Sequence, residues 1–441
     1  MVSPRTRARR HGPDRSGAAP ARCGGRPRAP RRSHLLPRRA AGRRGAARAG
    51  ARLHRHRDRR SPRGARGLHL RGARALPLRR SRRASTRRLH APAASPRRGD
   101  PMTLAGWYMA AWSDELGPRP LGRRLGGHPY VLFRDARDAA TALSAICPHR
   151  GGDLASGELR EGCVRCPYHG WELDGDGRCV RIPSQPAHAG IPPRARARKL
   201  TTVESDGAVW VWLAEGPPVG APPPLRLPGT PRRRLRARPQ RFDAGFVDVV
   251  EQAIDSSHHP FVHRGAMGAR QPTEVPPIRV DVDEAASALE WEYERAPPGA
   301  PETPRHLLGA LRDAALDLSP PTTWRYRCDL PGLLQLHIAY RSGGWELSAL
   351  AFTPRDAGST WVFAQSARTR APHLLGDLHQ RYFMLRVLDE DRRATRLLIG
   401  PRPAEGFPTA VSARADAATL AFRRLYARAL QNGQGGSSPH A

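Results

Sequence analysis

Two short segments that each join one cysteine to one histidine constrain this chain more than any other feature of its 441 residues. They read CPH at 147–149 and CPYH at 166–169. Nearby glycines and prolines allow tight loops whose backbone N–H groups can point at cysteine sulfur atoms. Crowding of cysteines beside histidines favours metal binding in a reducing compartment over a disulfide framework. The four candidate ligands are Cys147, His149, Cys166 and His169.

The C-x-H and C-x2-H spacing matches the ligand set of a Rieske [2Fe–2S] cluster, in which thiolates hold one iron and imidazoles hold the other. A structural zinc site is the alternative, but zinc ribbons and fingers usually begin with two cysteines spaced C-x2–4-C. Cys163 and Cys166 have that spacing, yet pairing them would leave His149 and His169 without symmetric partners. We therefore favour the [2Fe–2S] cluster. The cysteines interpreted as ordinary small apolar residues are Cys163, Cys179 and Cys328.

The positive charge of the chain is concentrated at its N-terminus. The whole chain has a net charge of +36, which by itself would suggest a polyanionic partner such as nucleic acid. Residues 1–100 contain 32 arginines and three acidic residues, a net charge of +29, which leaves +7 for the remaining residues. The remainder therefore has the charge balance of an ordinary globular protein.

Residues 1–101 contain too few apolar residues to fold alone, and we expect them to be disordered. A nucleic-acid-binding arm would interleave aromatic residues with the basic ones, and this stretch contains none up to Met102. A transit peptide would need an amphipathic apolar face, which the spacing of glycine and proline interrupts. The favoured interpretation is a mis-assigned start, with translation beginning at Met102; a solvated or targeting tail and a binding arm are the alternatives.

A second group of candidate ligands lies in EQAIDSSHHPFVH at 251–263. Apolar residues from Phe246 to Ile254 recur at helical spacing, so the sequence predicts a helix that leads into His258 and His263. Two histidines and a carboxylate can form a facial triad that leaves positions on Fe(II) open for O2 and substrate. An isolated histidine pair is more often structural, but its place downstream of a cluster motif favours a metal site.

From Met102 to the C-terminus the chain resembles the α subunits of Rieske non-haem iron oxygenases, particularly the dicamba O-demethylase-like and pheophorbide a oxygenase-like members. The motifs that carry the resemblance are CPHRGG and CPYHGW, AVWVWL at 208–213, and D-x2-H-x4-H at 255–263. Respiratory-complex Rieske proteins have two further cysteines where this chain has Gly152 and Tyr168. Their disulfide is therefore absent, and Tyr168 is a candidate hydrogen-bond donor to a cluster thiolate.

The resemblance implies a third iron ligand on a helix near the C-terminus, within VLDEDR at 387–392. We choose Asp391 and interpret Asp389 and Glu390 as solvated helix charges. The resemblance also implies a carboxylate that connects the mononuclear iron to the cluster of the neighbouring subunit. Asp255 fits that role, since it precedes His258 by three residues and would share its helix face.

Two residues beside these ligands have expected roles of their own. Gln252 stands where many relatives carry asparagine, and we expect this difference to alter the shape of the pocket without abolishing the chemistry. His259 is interpreted as a bystander next to the ligands.

The predicted fold class is α+β. An N-terminal all-β Rieske [2Fe–2S] domain at 102–215 precedes a proline-rich linker at 216–240. The resemblance implies that residues 241–441 form a helix-grip (START-like) catalytic domain with an antiparallel sheet and long C-terminal helices. Strand-like runs are predicted at 277–291, 324–339 and 345–365, and helices at 374–398 and 412–431.

The resemblance implies an oxidoreductase, a Rieske mono- or dioxygenase that hydroxylates, dihydroxylates or oxidatively demethylates an aromatic or cyclic apolar substrate. Its cofactors would be one [2Fe–2S] cluster and one mononuclear Fe(II). The chain has no GxGxxG nucleotide fingerprint, so electrons from NAD(P)H would arrive through a separate ferredoxin or reductase. Electron transfer between subunits implies a homotrimer. No apolar run reaches the ~18 residues that span a bilayer, and we expect a cytoplasmic protein.

Two other functions stay open at this point: a Rieske electron carrier without oxygenase activity, and nucleic-acid binding by the basic N-terminal arm. For the oxygenase, the substrate pocket is expected among residues 280–370, where apolar residues dominate. The side chains considered for it are Leu307, Leu308, Leu311, Trp324, Leu333, Leu334, Trp345, Leu347 and Phe352.

Overall fold

The computed structural model describes residues 103–186, 188–264, 266, 273–294, 321–399 and 411–434. These residues all belong to one compact unit. The predictions for residues 1–101, disorder or a mis-assigned start, lie outside the described residues. None of the helices in the described ranges is both long enough and apolar enough to cross a membrane.

Three small antiparallel sheets form the N-terminal part of the described chain, with strand orders β1-β11-β10, β2-β3-β4-β9 and β5-β6-β7-β8. This confirms the predicted all-β domain. The strands are β1 (Trp107–Trp112), β2 (Leu121–Leu125), β3 (His128–Arg134), β4 (Ala140–Ser144), β5 (Glu158–Arg160), β6 (Cys163–Arg165), β7 (Glu172–Leu173), β8 (Cys179–Arg181), β9 (Lys199–Leu200), β10 (Thr202–Ser205) and β11 (Ala208–Trp212).

Short runs of β-branched and aromatic residues build these sheets, because such side chains pack well on a pleated surface. Every residue of β11 is buried, and it pairs antiparallel with β1, which is also buried throughout. A separate apolar cluster lies beneath the two cysteine-containing loops and includes Phe133, Leu143 and Val164 together with Cys147 and Cys166. The loops that carry the candidate cluster ligands therefore pack on a buried apolar cluster.

An eight-stranded antiparallel sheet dominates the C-terminal part, in the order β12-β19-β18-β17-β16-β15-β14, with β13 also paired to β19. The α+β class is thereby confirmed. The strands are β12 (Arg233–Arg236), β13 (Gln240–Phe242), β14 (Val280–Asp283), β15 (Ala288–Glu294), β16 (Pro321–Asp329), β17 (Leu333–Tyr340), β18 (Trp345–Asp356) and β19 (Ser359–Arg368).

Within the described ranges, four α-helices accompany this sheet: α1 (Phe246–Ile254), α2 (His259–Val262), α3 (Leu374–Thr395) and α4 (Ala417–Gln434). Helix α1 packs against α3, α4 and the strands β18 and β19. Its apolar residues join one core with residues of the sheet and of both long helices, including Phe246, Val250, Trp291, Leu388 and Phe422. The helix that leads into the histidines is thus held on three sides.

The two domains share a core. Trp107, Trp112 and Trp212 from the N-terminal sheets cluster with Leu333 and Phe363 of the large sheet. Hydrogen bonds from side chains to backbone carbonyls reinforce this contact: the Trp112 indole N–H donates to the Ala237 carbonyl at 2.8 Å, and the Thr353 hydroxyl donates to the Met109 carbonyl at 2.7 Å.

Two features differ from the sequence-based expectations. The runs predicted as strands at 277–291, 324–339 and 345–365 are each a hairpin, because the turns at 284–287, 330–332 and 357–358 lie between paired strands. The predicted linker at 216–240 is not free of secondary structure along its whole length, because Arg233–Arg236 pairs with β19 as an edge strand. Proline-free basic residues can supply the backbone N–H groups that an edge strand needs, which the proline-rich half before them cannot.

Candidate metal centres

The two cysteine-containing loops have nearly the same backbone geometry. In the first, the Cys147 N–H donates to the Gly152 carbonyl at 2.9 Å and the Cys147 carbonyl accepts from the Gly151 N–H at 2.9 Å. In the second, Cys166 pairs in the same way with Trp171 at 2.8 Å and Gly170 at 3.0 Å. Both Gly151 and Gly170 have positive φ, a conformation that costs a side chain-bearing residue free energy. Each loop is therefore a tight turn built around its cysteine.

The structure brings the four predicted cluster ligands together. The imidazole rings of His149 and His169 lie 4.5 Å apart between centroids. The Cys147 and Cys166 side chains are buried, and burial raises the pKa of the Cys147 thiol to about 11, with the neighbouring Cys166 thiol adding to the shift. Two adjacent buried thiols would not both ionise without a cation between them.

The histidine side of this site also fits a metal cluster. The His149 ring stacks on the Trp171 indole at 4.5 Å with an angle of 4° between planes, which holds its orientation. His149 Nδ1 is buried and has no hydrogen-bond partner among the described residues. A buried ring nitrogen without a partner is costly unless it binds a ligand. The thiols and this nitrogen together suit a [2Fe–2S] cluster held by two thiolates and two imidazoles.

The remaining predictions for this domain have mixed outcomes. Tyr168 is 64% exposed and its ring lies against His169 at 3.9 Å, so its hydrogen bond to a cluster thiolate stays a prediction. Position 152 has room only for glycine, because a Cβ there would lie 2.8 Å from the Cys166 sulfur. Cys163 and Cys179 are buried in this domain, and Cys328 is buried on β16 of the large sheet.

The second group of predicted ligands converges at the end of α1. His258 immediately precedes α2 and His263 immediately follows it, so that the short helix turns both imidazoles to one side. Their Nε2 atoms lie 3.1 Å apart. Asp391 on α3 places Oδ1 3.1 Å from His263 Nε2 and 3.5 Å from His258 Nε2. The three ligand atoms could hold one metal ion on one face.

The histidines and the carboxylates of this site shift each other's pKa values: the pKa of His258 is raised and that of Asp391 is lowered. Burial alone would lower the pKa of His258, but the neighbouring carboxylates of Asp255 and Asp391 raise it to about 9. Burial would raise the pKa of Asp391, but hydrogen bonds with His258 and His263 hold it well below its ordinary value. The carboxylate thus stays ionised at neutral pH, as a metal ligand must.

Two side chains that the sequence analysis did not assign to this site orient its ligands. Glu390, interpreted from the sequence as a solvated helix charge, is 7% exposed, and its Oε2 lies 3.1 Å from His263 Nδ1. Arg386, one helical turn earlier, donates to the other Glu390 oxygen at 2.7 Å. Glu390 is therefore not a solvated helix charge. Consecutive residues on a helix point only about 100° apart, so Glu390 and Asp391 can both lie on the side of α3 that faces α1 and α2.

Gln252 contacts Asp391, whereas Asp389 points away from the site. The Gln252 amide donates to Asp391 Oδ1 at 2.9 Å and so positions the carboxylate. Asp389 faces outward, where Arg392 and Arg393 pair with it. Of these two acids, Asp391 is the one whose carboxylate lies beside both imidazoles.

Asp255 lies beside His258 for a different reason from the one predicted. Helix α1 ends at Ile254, and Asp255 has extended backbone angles, so it does not share a helix face with His258. Instead Ser257 turns the carboxylate: its backbone N–H and its hydroxyl both donate to Asp255 Oδ1 at 2.7 Å. This leaves Oδ2 3.7 Å from His258 Nδ1.

A cavity of about 480 Å³ opens beside His258, His263 and Asp391. Of the side chains predicted for it, Trp324 and Leu334 line it. The other predicted side chains in the described chain do not line it, either because alternate residues of a strand face opposite sides of the sheet or because the residue lies beyond the cavity along its strand. These residues are Leu333, Trp345, Leu347 and Phe352. Leu307, Leu308 and Leu311 lie outside the described residues.

One wall of this cavity comes from α3, which the sequence analysis did not consider. The signal was present in helical spacing that runs back from Asp391. The lining residues of α3 are His379, Gln380, Phe383, Met384, Val387, Leu388 and Asp391. His259, interpreted as a bystander, also lines the cavity, with its ring 6.1 Å from the Trp324 ring.

Comparisons with known proteins agree with this arrangement. The family model of the Rieske [2Fe-2S] domain matches residues 106–202, and that of the vanillate O-demethylase oxygenase C-terminal domain matches 242–432. The chain is 35% identical over 162 residues to the oxygenase component of dicamba O-demethylase from Stenotrophomonas maltophilia. It is 32% identical over 165 residues to aminopyrrolnitrin oxygenase PrnD from Pseudomonas fluorescens.

Those alignments cover 36% of this chain in both cases, and 47% and 46% of the two relatives, so the chain spans about half the length of each. The solved structure of Pseudomonas putida NdmA with caffeine superposes with a TM-score of 0.61 over 76% of this chain and 97% of that one, at 22% identity. This likeness concerns the fold. Since both domain models match in order along one chain, the protein belongs to the Rieske non-haem iron oxygenases.

Proposed function

We propose that this chain is a Rieske oxygenase that uses O2 and externally supplied electrons to hydroxylate, dihydroxylate or oxidatively demethylate an aromatic or cyclic apolar substrate. The observation that carries the proposal is the triad of His258, His263 and Asp391 at the wall of a cavity of about 480 Å³, in a chain that also presents a cluster site. An electron carrier would need the cluster site alone.

We assign the ligands as follows. Cys147 and Cys166 would hold one iron of a [2Fe–2S] cluster and His149 and His169 the other. The mononuclear Fe(II) would be held by His258, His263 and Asp391. When bound, the cluster would store and pass on single electrons, and the mononuclear iron would activate O2.

The residues of the chain prepare the mononuclear site before any metal binds. Glu390 would accept the Nδ1 proton of His263 and thereby leave Nε2 free to bind the metal; such partners commonly orient metal-bound imidazoles. Gln252 fixes the carboxylate of Asp391 from the other side. Trp324, Leu388 and Met384 exclude water from the part of the cavity next to the triad.

Asp255 is assigned as the residue that connects the two kinds of centre. Its Oδ1 is fully engaged by Ser257, and its Oδ2 faces His258 Nδ1. The side chain is partly exposed, so a second hydrogen bond to a group outside this chain is open to it. In this assignment the partner is a cluster histidine of a neighbouring subunit in a homotrimer.

Electrons are proposed to come from NAD(P)H through a separate ferredoxin or reductase, in the cytoplasm. The relatives support a multi-component system by their names, which include an "oxygenase component" and a "monooxygenase system iron-sulfur subunit". The nature of their substrates supports cyclic molecules: dicamba, aminopyrrolnitrin, toluene-4-sulfonate and 3-chlorobenzoate appear in the names.

Iron stoichiometry and oxygen uptake together test this function. The purified protein, reconstituted anaerobically with iron and sulfide, is expected to hold about three irons per chain, two in the cluster and one in the mononuclear site. Supplied with a surrogate reductase and NADH, it is expected to consume O2 when a panel of methoxylated and unsubstituted aromatic compounds is added. Two irons and no substrate-dependent oxygen uptake would identify an electron carrier instead.

A further inference from the structure

The cavity beside the triad changes in chemical character along its length. Near the triad its wall is apolar and aromatic, with Trp324, Tyr326 and Leu388. A polar group of lining side chains gathers around Gln380 through contacts with Glu346 and Tyr340, and it includes Tyr340, Glu346, Ser348, Arg370 and Gln380. Gln380 and Asp391 both lie on α3, and a helix rises 1.5 Å per residue, so the two ends are about 16 Å apart along the helix axis.

Glu346 is the most unusual of these polar residues. Only 4% of its surface is exposed, yet it carries a carboxyl group. The hydroxyls of Ser348 and Ser366 each donate to its Oε1 at 3.3 Å, and the buried Gln380 amide donates to the same oxygen. Its Oε2 receives only the Tyr340 hydroxyl, at 3.5 Å, within the described part of the chain. A carboxylate oxygen can accept two hydrogen bonds, so Oε2 retains accepting capacity.

No cation of the described residues pairs with this carboxylate. Arg368 is opposite Glu346 in the strand register, but its guanidinium donates to Asp377 Oδ1 at 2.6 Å. Arg370 lies near the same end of the cavity with its guanidinium 4.1 Å from the centre of the Tyr340 ring. Burying a carboxylate among neutral donors alone is costly, and an additional donor that enters the cavity would offset that cost.

We propose that Glu346 is a specificity-determining residue that accepts a hydrogen bond from an N–H or O–H group of the substrate. This rests on the proposed function, because it treats the cavity as the substrate site. The substrate class is then a cyclic apolar molecule whose ring reaches the triad and whose donor group lies at the opposite end. Ser348, Ser366 and Gln380 hold the carboxylate so that Oε2 remains for the ligand.

Equilibrium dialysis with three ligands of matched shape tests this inference on the full-length, metal-loaded protein under anaerobic conditions. The probes are 2-naphthylmethanol, 2-naphthylmethylamine and 2-ethylnaphthalene, which differ in the donor group only. We expect at least one donor-bearing ligand to bind about ten- to a hundredfold more tightly than the ethyl compound, as for a hydrogen bond to a charged group. Comparison of the alcohol and the amine then shows whether the preferred donor is neutral or charged.

Glu346→Gln supplies the second arm, since it keeps size and shape but presents an amide donor where Oε2 stood. In this variant the preference for donor-bearing ligands is expected to fall to less than about threefold. Glu215→Gln, at an exposed position outside the cavity, is the matched control and should retain the wild-type preference. Equal binding of the three ligands by the wild-type protein would overturn the inference whether or not Glu346→Gln folds, and so would an unchanged preference in a folded Glu346→Gln.

Binding needs no reductase, no O2 and no turnover, so the two proposals can fail separately. If the wild-type protein consumes O2 in the presence of substrate but shows no preference for donor-bearing ligands, the role of Glu346 is wrong and the oxygenase function stands. A clear donor preference without oxygen uptake would leave Glu346 as a ligand-binding residue and remove the oxygenase function.

Discussion

The two candidate metal sites of this chain are built in opposite ways. The cluster site uses two nearby loops, and backbone hydrogen bonds within each loop set the geometry, as in Cys147 to Gly152 and Cys166 to Trp171. The mononuclear site draws its ligands from α2 and from α3, far later in the chain, and side chains such as Glu390 and Gln252 set their orientation. The first site is therefore a product of turns and the second a product of helix packing.

This contrast teaches which changes each site should tolerate. A site built from backbone turns is sensitive to glycine replacement and indifferent to distant side chains. A site built from packed helices depends on the buried polar groups behind its ligands, and their loss leaves other buried groups without partners. Four substitutions separate the two cases, from the largest expected effect to the smallest.

His258→Ala should have the largest effect and should confine it to the mononuclear site. We expect no detectable product, about one iron fewer per chain, and an unchanged visible spectrum and EPR signal of the reduced cluster. His128→Ala, a histidine outside both ligand sets, is the control. Loss of the cluster signals in His258→Ala would mean that the two sites are not built independently.

Asp255→Asn should leave both metal centres occupied and slow the transfer of electrons between them. An asparagine that keeps its oxygen toward Ser257 would turn its NH2 group toward His258 Nδ1 and could not accept the proton of that nitrogen, so we expect about a ten- to hundredfold slower reoxidation of the reduced cluster by O2 and substrate. Stopped-flow absorbance of the cluster measures this rate. Reoxidation at the wild-type rate would rule out the connecting role.

Glu390→Gln should weaken iron binding at the mononuclear site about tenfold or more, the usual cost of losing the partner of a metal-bound histidine. The measurement is competition for Fe(II) with a chelator, with cluster absorbance recorded in parallel and expected not to change. Asp389→Asn is the matched control, because Asp389 is the adjacent acid but faces outward to Arg392 and Arg393. Equal losses in both variants would show a general charge effect in place of a positioning role.

Gly170→Ala should have the smallest effect and confine it to the cluster domain. The positive φ of Gly170 and the contact of a new Cβ with Pro183 at 3.1 Å are expected to reduce the free energy of unfolding by about 1–2 kcal/mol. Thermal unfolding followed by cluster absorbance detects this. Gly190→Ala, where a Cβ meets nothing within 4 Å, is the control. A wild-type midpoint for Gly170→Ala would contradict the turn-based account of this site.

Much of the fold could be predicted, because short-range patterns determine it. The all-β first domain, the helix ahead of the histidines and the two long C-terminal helices follow from residue periodicity and turn residues. The hairpin turns inside the long strand runs were missed, since Pro331-Gly332 and Ala357-Gly358 interrupt the pattern for only two residues each. The strand at Arg233–Arg236 was missed because its partner, β19, is more than a hundred positions later.

The sequence by itself predicted the candidate ligands of the two sites: their spacing indicated Cys147, His149, Cys166 and His169, and it placed His258 and His263 near each other. Only the tertiary structure decided which acid of VLDEDR faces them, that Glu390 supports His263, and that Ser257 aims Asp255. It also decided that the cavity ends at a buried carboxylate, Glu346. The physical reason is that loop ligands are positioned by bonds between near neighbours, whereas these side chains are selected by how helices pack against a sheet.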